Sequence, residues 1–495
     1  MERVNYFSIV RWVVPELILA VVSLVALIAD LFAMRELTAK IRRVILGMIG
    51  CAGCGAAIIW ILIAPGAVRL AQGSLVVNQV SAVLSISILV LTFCAVVIFV
   101  DTSFTDHISE YIAVLLLAAI GMLFLVSSEN LLVIFLSFEL TSLSLYALAA
   151  FDKKNVASTE AALKYFLFGG ISAAFTLFGI SLLYGMTGTL YLPEIASAMK
   201  SKGMDSLLAL SLVMTVAGFG FKIAAVPFHF WAPDVYEGSP APTAAIVASG
   251  SKIAGFFIFA RVLLSGFQGV EGSAAWACWR AGWLPVIGTI AVASMLLGNL
   301  AAIVQSRFRR LIAYSAIAHS GYALLGVMGY NGPGLAALTY YIITYGITLT
   351  GIFGVIAIIE ARKGNDAIIN LAGLGRSSPV LAFCLLTFML SLAGVPPFAG
   401  FIGKFYLVTS VLGKGAPMGN FWLVLAAIAL SVVSLYYYLQ VLKQVYVAPA
   451  PLDQIPYGRS WFAGGVVCLA AGLVILFGVF PGLLLHPIIM GLRAL

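Results

Sequence analysis

Five ionisable side chains lie in stretches of sequence otherwise too apolar to hold them. Glu139 sits in Val133-Ile-Phe-Leu-Ser-Phe-Glu139-Leu-Thr-Ser-Leu143, and Lys222 in Gly218-Phe-Gly-Phe-Lys222-Ile-Ala-Ala-Val-Pro227. Lys252 lies in Ala248-Ser-Gly-Ser-Lys252-Ile-Ala-Gly255, His319 in Tyr314-Ser-Ala-Ile-Ala-His319-Ser-Gly-Tyr322, and Lys404 in Gly400-Phe-Ile-Gly-Lys404-Phe-Tyr406. The chemistry open to this set is proton transfer. An amine or a carboxylate binds and releases one proton, and an imidazole passes one between its two nitrogens. A carboxylate near a buried ammonium favours its charged form, so moving the two apart releases the proton. That is the physical element of a pump.

The elements that must position these groups are membrane helices. The chain has 495 residues, 62% hydrophobic and 9% charged, with a mean hydropathy of +1.11. Soluble proteins carry roughly a quarter charged residues, so most of this exterior must face lipid. Segments of about 20 apolar residues, the length needed to span a bilayer, recur from end to end. The reading is an all-α polytopic membrane protein of about 14 spans. They fall near 13–34, 43–64, 76–100, 110–127, 129–151, 162–185, 206–230 and 241–264, then 281–304, 308–329, 334–361, 378–412, 421–447 and 460–482. The first is too long for a signal peptide's apolar core and reads as a retained helix.

The net charge of +8 reflects basic membrane flanks and points to lipid rather than nucleic acid. With the N-terminus outside, the cytoplasmic connections receive Arg35, Lys40, Arg42, Arg43, Lys153, Lys154, Arg307, Arg309, Arg310, Arg362, Lys363, Arg376, Lys443 and Arg459. The opposite side receives the smaller set Arg3, Arg11, Arg69, Lys200, Lys202, Arg261, Arg280, Lys414 and Arg493. The bias places both termini outside.

Depth separates the candidates. Glu139 is about ten residues from either end of its span, on the order of 15 Å from the interface, beyond a carboxylate's reach. Each charge at such depth costs at least about 2.5–3.5 kcal/mol, so it must face another charge, a carbonyl or water inside the bundle. Pro227 and the pair Pro396-Pro397 interrupt helices beside Lys222 and Lys404, and the flanking Gly218, Gly220, Gly400 and Gly403 are expected to leave room for water. The breaks are five spans apart, an odd number, as in inverted transporter repeats.

Several of these residues also have a purely structural role open to them. Lys164, in Glu160-Ala-Ala-Leu-Lys164, reads equally as a proton site or as an interface lysine snorkelling out. His319 reads as a proton relay ahead of a packing residue, and His229 as structural. Asp30, His107, His486 and Arg261 lie near interfaces and are expected to be solvated. Cys51-Ala-Gly-Cys54 reads as small-residue helix packing. The structural alternative for the whole set is a scaffold of buried ion pairs. The sequence has no GxGxxG after a strand, phosphate loop, zinc spacing or iron–sulfur cysteine set. No site for NADH, flavin or metal is read in this chain, so any redox chemistry belongs to partners.

The segment Pro227-Phe-His-Phe-Trp-Ala-Pro-Asp-Val-Tyr-Glu-Gly-Ser-Pro-Ala-Pro-Thr-Ala-Ala245 resembles the antiporter-like subunits of respiratory complex I and Mrp-type sodium/proton antiporters. The likeness covers roughly residues 110–445. The form Pro233-Asp-Val-Tyr-Glu-Gly238 narrows it to one bacterial branch of the NADH:quinone oxidoreductase subunits. Lys404 counts against the paralogue with glutamate there, while Ser239-Pro-Ala-Pro-Thr departs mildly from the usual Ala-Pro-Thr-Pro.

The resemblance implies proton roles for Glu139 in the fifth span, Lys164 in the sixth, Lys222 in the broken seventh and Lys252 in the eighth. It implies the same for His319 on a central hydrophilic axis and for Lys404 in the broken twelfth. It implies two inverted five-helix repeats, 110–264 and 281–447, between N-terminal spans in 1–109 and a C-terminal span in 448–495. NAD, FMN, iron–sulfur clusters and quinone would then sit in partner subunits. The partners would be a neighbouring antiporter-like subunit and small membrane subunits, in a bacterial inner membrane. An Mrp-type antiporter subunit and a structural membrane subunit stand as alternatives.

Overall fold

The computed structural model of the chain describes residues 10–64, 66, 68–70, 74–199, 203–330, 332–412, 418–449 and 460–493. Of the basic residues in the charge count, Arg3, Lys200, Lys202, Lys414 and Arg459 lie outside these ranges. The architecture is helical because lipid offers backbone groups no partner, and a helix satisfies its own. The N-terminal half contains α1 (Val14–Ala33), α2 (Ala39–Ile63), α3 (Gln79–Val100), α4 (Ile108–Ser127), α5 (Leu131–Ala149) and α6 (Val156–Thr187). A three-residue hairpin, β1 (Val68–Leu70) with β2 (Leu75–Val77), joins α2 to α3. After a short α7 (Leu192–Met199) come α8 (Ser206–Lys222), α9 (Trp231–Gly238), α10 (Ala241–Ala248) and α11 (Gly250–Arg261). The second half contains α12 (Trp283–Ile303), α13 (Phe308–Met328), α14 (Gly332–Lys363), α15 (Pro379–Ala393), α16 (Ala399–Val411), α17 (Phe421–Tyr446), α18 (Trp461–Val479) and α19 (Gly482–Arg493).

Among the described residues, 12 helical segments are long and apolar enough to cross a membrane, with α10 and α11 counted together. Two interrupted spans, α8–α9 and α15–α16, bring the total to the 14 expected from apolar length. Helix starts follow side-chain chemistry: Asn78, Asn130, Asn155 and Asp205 each accept a backbone N–H at the head of α3, α5, α6 and α8. The seventh span ends its first helix at Lys222, well short of the expected 230, and turns before α9. The eighth is broken at Ser249, with no proline to announce it. The short α19 also follows the last expected span.

The packing repeats at an interval of five spans. Helix α4 packs on α5 as α12 packs on α13, and the second half of the seventh span, α9, packs on α6 as the second half of the twelfth, α16, packs on α14. Glycines set the closest approaches: a Cβ on Gly121 would come 2.5 Å from Thr141 Oγ1, and one on Gly298 2.4 Å from the Ala318 nitrogen. The segment α10–α11 and helix α14 are wholly buried along their apolar stretch, and α13 almost wholly. By contrast α1, α6 and α17 turn most of that stretch outward. The helices carrying Lys252 and His319 therefore form the centre.

Three expectations are corrected. Asp30 is not solvated: it is 6% exposed, takes two 2.7 Å bonds from Arg42 and one from Ser109. Arg261 is likewise 5% exposed and pairs with Glu129 at 2.6 Å. Both sit near helix ends in sequence, yet neighbouring helices cover them. The glycines beside the lysines admit packing rather than water. The Cβ direction of Gly218 meets Thr176, Gly220 meets Phe228, Gly400 meets the Ser391 carbonyl and Gly403 meets Tyr341. His107 and His486 are exposed, as expected. The six cysteines are free.

Candidate functional site

Proline chemistry builds the two breaks in the same way. A proline cannot donate to the carbonyl four residues earlier, which leaves Ile223 O free before Pro227 and Ala393 O free before Pro397. Each carbonyl is then claimed from the buried row. Ser320 Oγ reaches Ile223 O at 2.6 Å, and Lys404 Nζ donates to Ala393 O at 3.2 Å.

Lys222 is 1% exposed and sits at the last residue of α8, where the partial negative charge of the helix end favours a cation. Its Nζ donates to Ser142 Oγ at 3.0 Å and lies 5.0 Å from the Phe138 ring centroid. Gly255 of α11 makes space for its stem, since a Cβ there would come within 3.2 Å of Lys222 Cγ. Glu139 is three residues before Ser142, on neighbouring positions of α5. It is within electrostatic reach of Lys222 but forms no ion pair with it. Glu139 is half-buried, on a face that also turns Leu132, Leu136 and Leu143 outward.

Lys252, 2% exposed, donates to Ala316 O at 2.8 Å and Ser320 Oγ at 2.9 Å. Ser320 thus bridges Lys252 to the carbonyl next to Lys222. His319, one residue away on α13, has Nδ1 2.5 Å from Tyr341 Oη and Nε2 3.0 Å from Tyr438 Oη. A neutral imidazole donates through one nitrogen and accepts at the other, so the two tyrosines bond it with opposite polarity. A tautomer change would reverse both. Tyr438 Oη also bonds Ser315, and the Tyr345 ring lies between Lys252 (5.8 Å) and His319 (5.0 Å).

Lys404 closes the row. Besides Ala393 O, its Nζ donates to Ser431 Oγ at 3.0 Å and lies 4.7 Å from the Tyr322 ring centroid. It faces a cavity of about 350 Å³ lined by Tyr322, Gly394, Phe405 and Ser431. Tyr322 leads back through Asn299 to Tyr437. None of the ion pairs among the described residues includes Lys222, Lys252 or Lys404; their direct partners are hydroxyls and carbonyls.

Lys164 lies elsewhere, in an ionic network at one end of the bundle. Its Nζ is 2.7 Å from both Glu160 and Asp234. Arg310 joins Asp234 to Glu237 at 3.1 and 2.8 Å, Arg307 also pairs with Glu237, and Arg309 pairs with Glu360. Asp234 and Glu237, the acidic residues of the Pro-Asp-Val-Tyr-Glu-Gly segment, therefore tie α9 to α6 and α13. His229 is buried against Phe230 beside the first break.

Sequence reasoning missed the tyrosines and serines of the row. Tyr322, Tyr341, Tyr345, Tyr437, Tyr438, Ser142, Ser320 and Ser431 are ordinary types in membrane helices. Only an i+1 adjacency to His319 could have drawn attention to Ser320.

Residues 128–434 match the family described as NADH:quinone oxidoreductase/Mrp antiporter, TM. The chain is 46% identical to the NADH-quinone oxidoreductase subunit N 2 of Acidobacterium capsulatum, over 98% of this chain and 99% of that one. It is 36% identical to subunit N of Nitrosomonas europaea over 95% of both. Among solved structures, a chain of respiratory complex I from Thermus thermophilus with bound aureothin superposes with a TM-score of 0.78 at 32% identity, covering 95% of this chain and 98% of that one. A chain of the Mrp complex from Dietzia sp. DQ12-45-1b gives 0.82 at 21% identity over 97% of each, a likeness in fold alone. The chain belongs to the antiporter-like membrane subunits of NADH:quinone oxidoreductase, in the subunit N branch.

Proposed function

We propose that the chain carries protons through complex I along the buried row, with no redox step of its own. Lys164, held by Asp234 and Glu160, collects protons at the cytoplasmic end. Lys222 takes one up while Glu139 tunes its affinity, and water, Lys252 and His319 pass it to Lys404, which releases it outside. The bridge from Lys252 through Ser320 to the carbonyl beside Lys222 carries this reading, because it ties the break in the seventh span to the buried central helices α11 and α13 by polar contacts. The repeat of packing at five spans supports two inverted units, 110–264 and 281–447. The charge bias supports periplasmic termini. Quinone reduction in partner subunits, which hold NAD, FMN, iron–sulfur clusters and quinone, drives the cycle by conformational and electrostatic coupling.

Assembly is tested by tagging the chain, extracting bacterial membranes in mild detergent and staining a native gel for NADH dehydrogenase activity. Co-migration with a large NADH-active assembly is expected. A smaller assembly without redox activity would return the chain to the ion-gradient antiporters. The bridge is tested by Ser320→Ala, which strands a buried carbonyl and removes one partner of Lys252. Proton flux per NADH through vesicles carrying this variant is expected to fall about fivefold or more at normal assembly. Unchanged flux would remove Ser320 from the route.

A further inference from the structure

Between His319 and Lys404 the hydrogen bonds form a continuous line of side chains. From His319 Nε2 it runs to Tyr438 Oη at 3.0 Å. The Tyr438 hydroxyl bonds that of Tyr437, whose ring centroid lies 4.4 Å away. At the other end Lys404 Nζ donates to Ser431 Oγ at 3.0 Å, and Ser431 bonds the Tyr322 hydroxyl. The two stretches meet at Asn299 of α12. Its Oδ1 accepts from Tyr437 Oη at 3.0 Å, and its Nδ2 donates to Tyr322 Oη at 3.4 Å. Asn299 and Tyr438 are fully buried, with Tyr437 and Tyr322 only 2% and 3% exposed.

Every link in this line but one can relay a proton. A hydroxyl accepts a proton on a lone pair while releasing its own, and an imidazole does the same between two nitrogens. A carboxamide does not: its oxygen only accepts and its nitrogen only donates. Turning the amide over exchanges the two atoms and leaves that property unchanged. Nor is there room for it to swing aside toward α13. The adjacent Gly298 draws α12 so close that a Cβ there would lie 2.4 Å from the Ala318 nitrogen. Leu296 and Leu300 of the same helix turn outward, so Asn299 is held on the inward face.

We propose, resting on Lys404 as the release site, that Asn299 is an insulating link: it orients the hydroxyls on both sides but passes no proton between them. Lys404 lines the cavity beside Gly394 and Phe405. A line of hydroxyls alone would keep the outer proton pool in permanent contact with His319, and protons would run back down their gradient. With the amide in place, passage needs water to bypass Asn299 where α12, α13 and α17 meet. Exit is thereby tied to a change in how these helices pack, which a coupled partner can impose.

The test uses the intact complex in proteoliposomes holding an imposed pH gradient without NADH, so that only passive flow is read. In Asn299→Asp a buried carboxylic acid accepts at one oxygen and releases from the other. Passive leak is expected to rise about tenfold, and protons exported per NADH to fall. Asn299→Ser, which supplies a hydroxyl and room for water, is expected to leak likewise. Tight vesicles from either variant, with the complex assembled on a native gel, overturn the insulation. Adding Lys404→Ala to Asn299→Asp is expected to close the leak again; a leak that persists comes from damaged packing and also overturns it. Normal NADH-driven export in Lys404→Ala alone would instead remove Lys404 from the route.

Discussion

Lys222→Ala is expected to stop proton movement through this chain while the complex still assembles. The amine donates to Ser142 Oγ at 3.0 Å, and an alanine in its place carries no proton. Carrying a bare charge across a desolvated stretch costs several kcal/mol. Each ~1.4 kcal/mol is a factor of ten in rate, so flux should fall by at least about 100-fold. Lys222→Arg separates charge from proton transfer. Guanidinium keeps the positive charge but does not release its proton near neutral pH, so the arginine variant should also be silent. The measurement is NADH-driven acidification of inverted vesicles, with quinone reduction followed in parallel. Tight coupling lowers both together. A normal proton yield in Lys222→Ala would take the residue out of the path.

Arg261→Ala is expected to cost stability rather than transport. The guanidinium bonds Glu129 at 2.6 Å and contacts the Val126 and Ser128 carbonyls at 3.5 and 3.4 Å, where α11 meets the α4–α5 connection. Removing one partner of a buried pair leaves an uncompensated charge and costs about 3–5 kcal/mol. Folded domains hold only about 5–15 kcal/mol in total, so the variant should accumulate poorly and lose assembly at a lower temperature. The matched double variant Arg261→Met with Glu129→Gln removes both charges and should recover most of the loss. Normal accumulation and an unshifted Tm for Arg261→Ala would mean the pair contributes little.

The ionisable row was legible because its residue types are anomalous. A lysine or glutamate in an apolar run is costly wherever it points, so Glu139, Lys222, Lys252 and Lys404 stood out one at a time. The prolines likewise announced the breaks at 227 and 397. What could not be read was partnership. Tyr438 bonds His319 across 119 positions of chain, and nothing in Tyr437-Tyr438 marks that meeting. Asp30 and Arg261 were misread for the same reason, since hydropathy gives depth along one helix and not cover by another. The break at Ser249 left no signal, because its cause is tertiary. In the Pro-Asp-Val-Tyr-Glu-Gly segment the order of residue types marks the family, while the anchoring role of its two acids depends on Lys164 and Arg310, which are distant in sequence.

The partners chosen for the lysines also have an electrical consequence. Hydroxyls and carbonyls steady an ammonium without cancelling it, so on the proposed route each proton arriving at Lys252 or Lys404 would add a net charge inside the low-dielectric bundle. A full charge moved across the membrane is worth about 2.3 kcal/mol per 100 mV, and a charge part-way across feels the corresponding fraction. On that proposal, occupancy of the row responds to the voltage that pumping builds: as the membrane charges, loading the next proton would become harder at these sites, and the row would throttle itself against the field it creates.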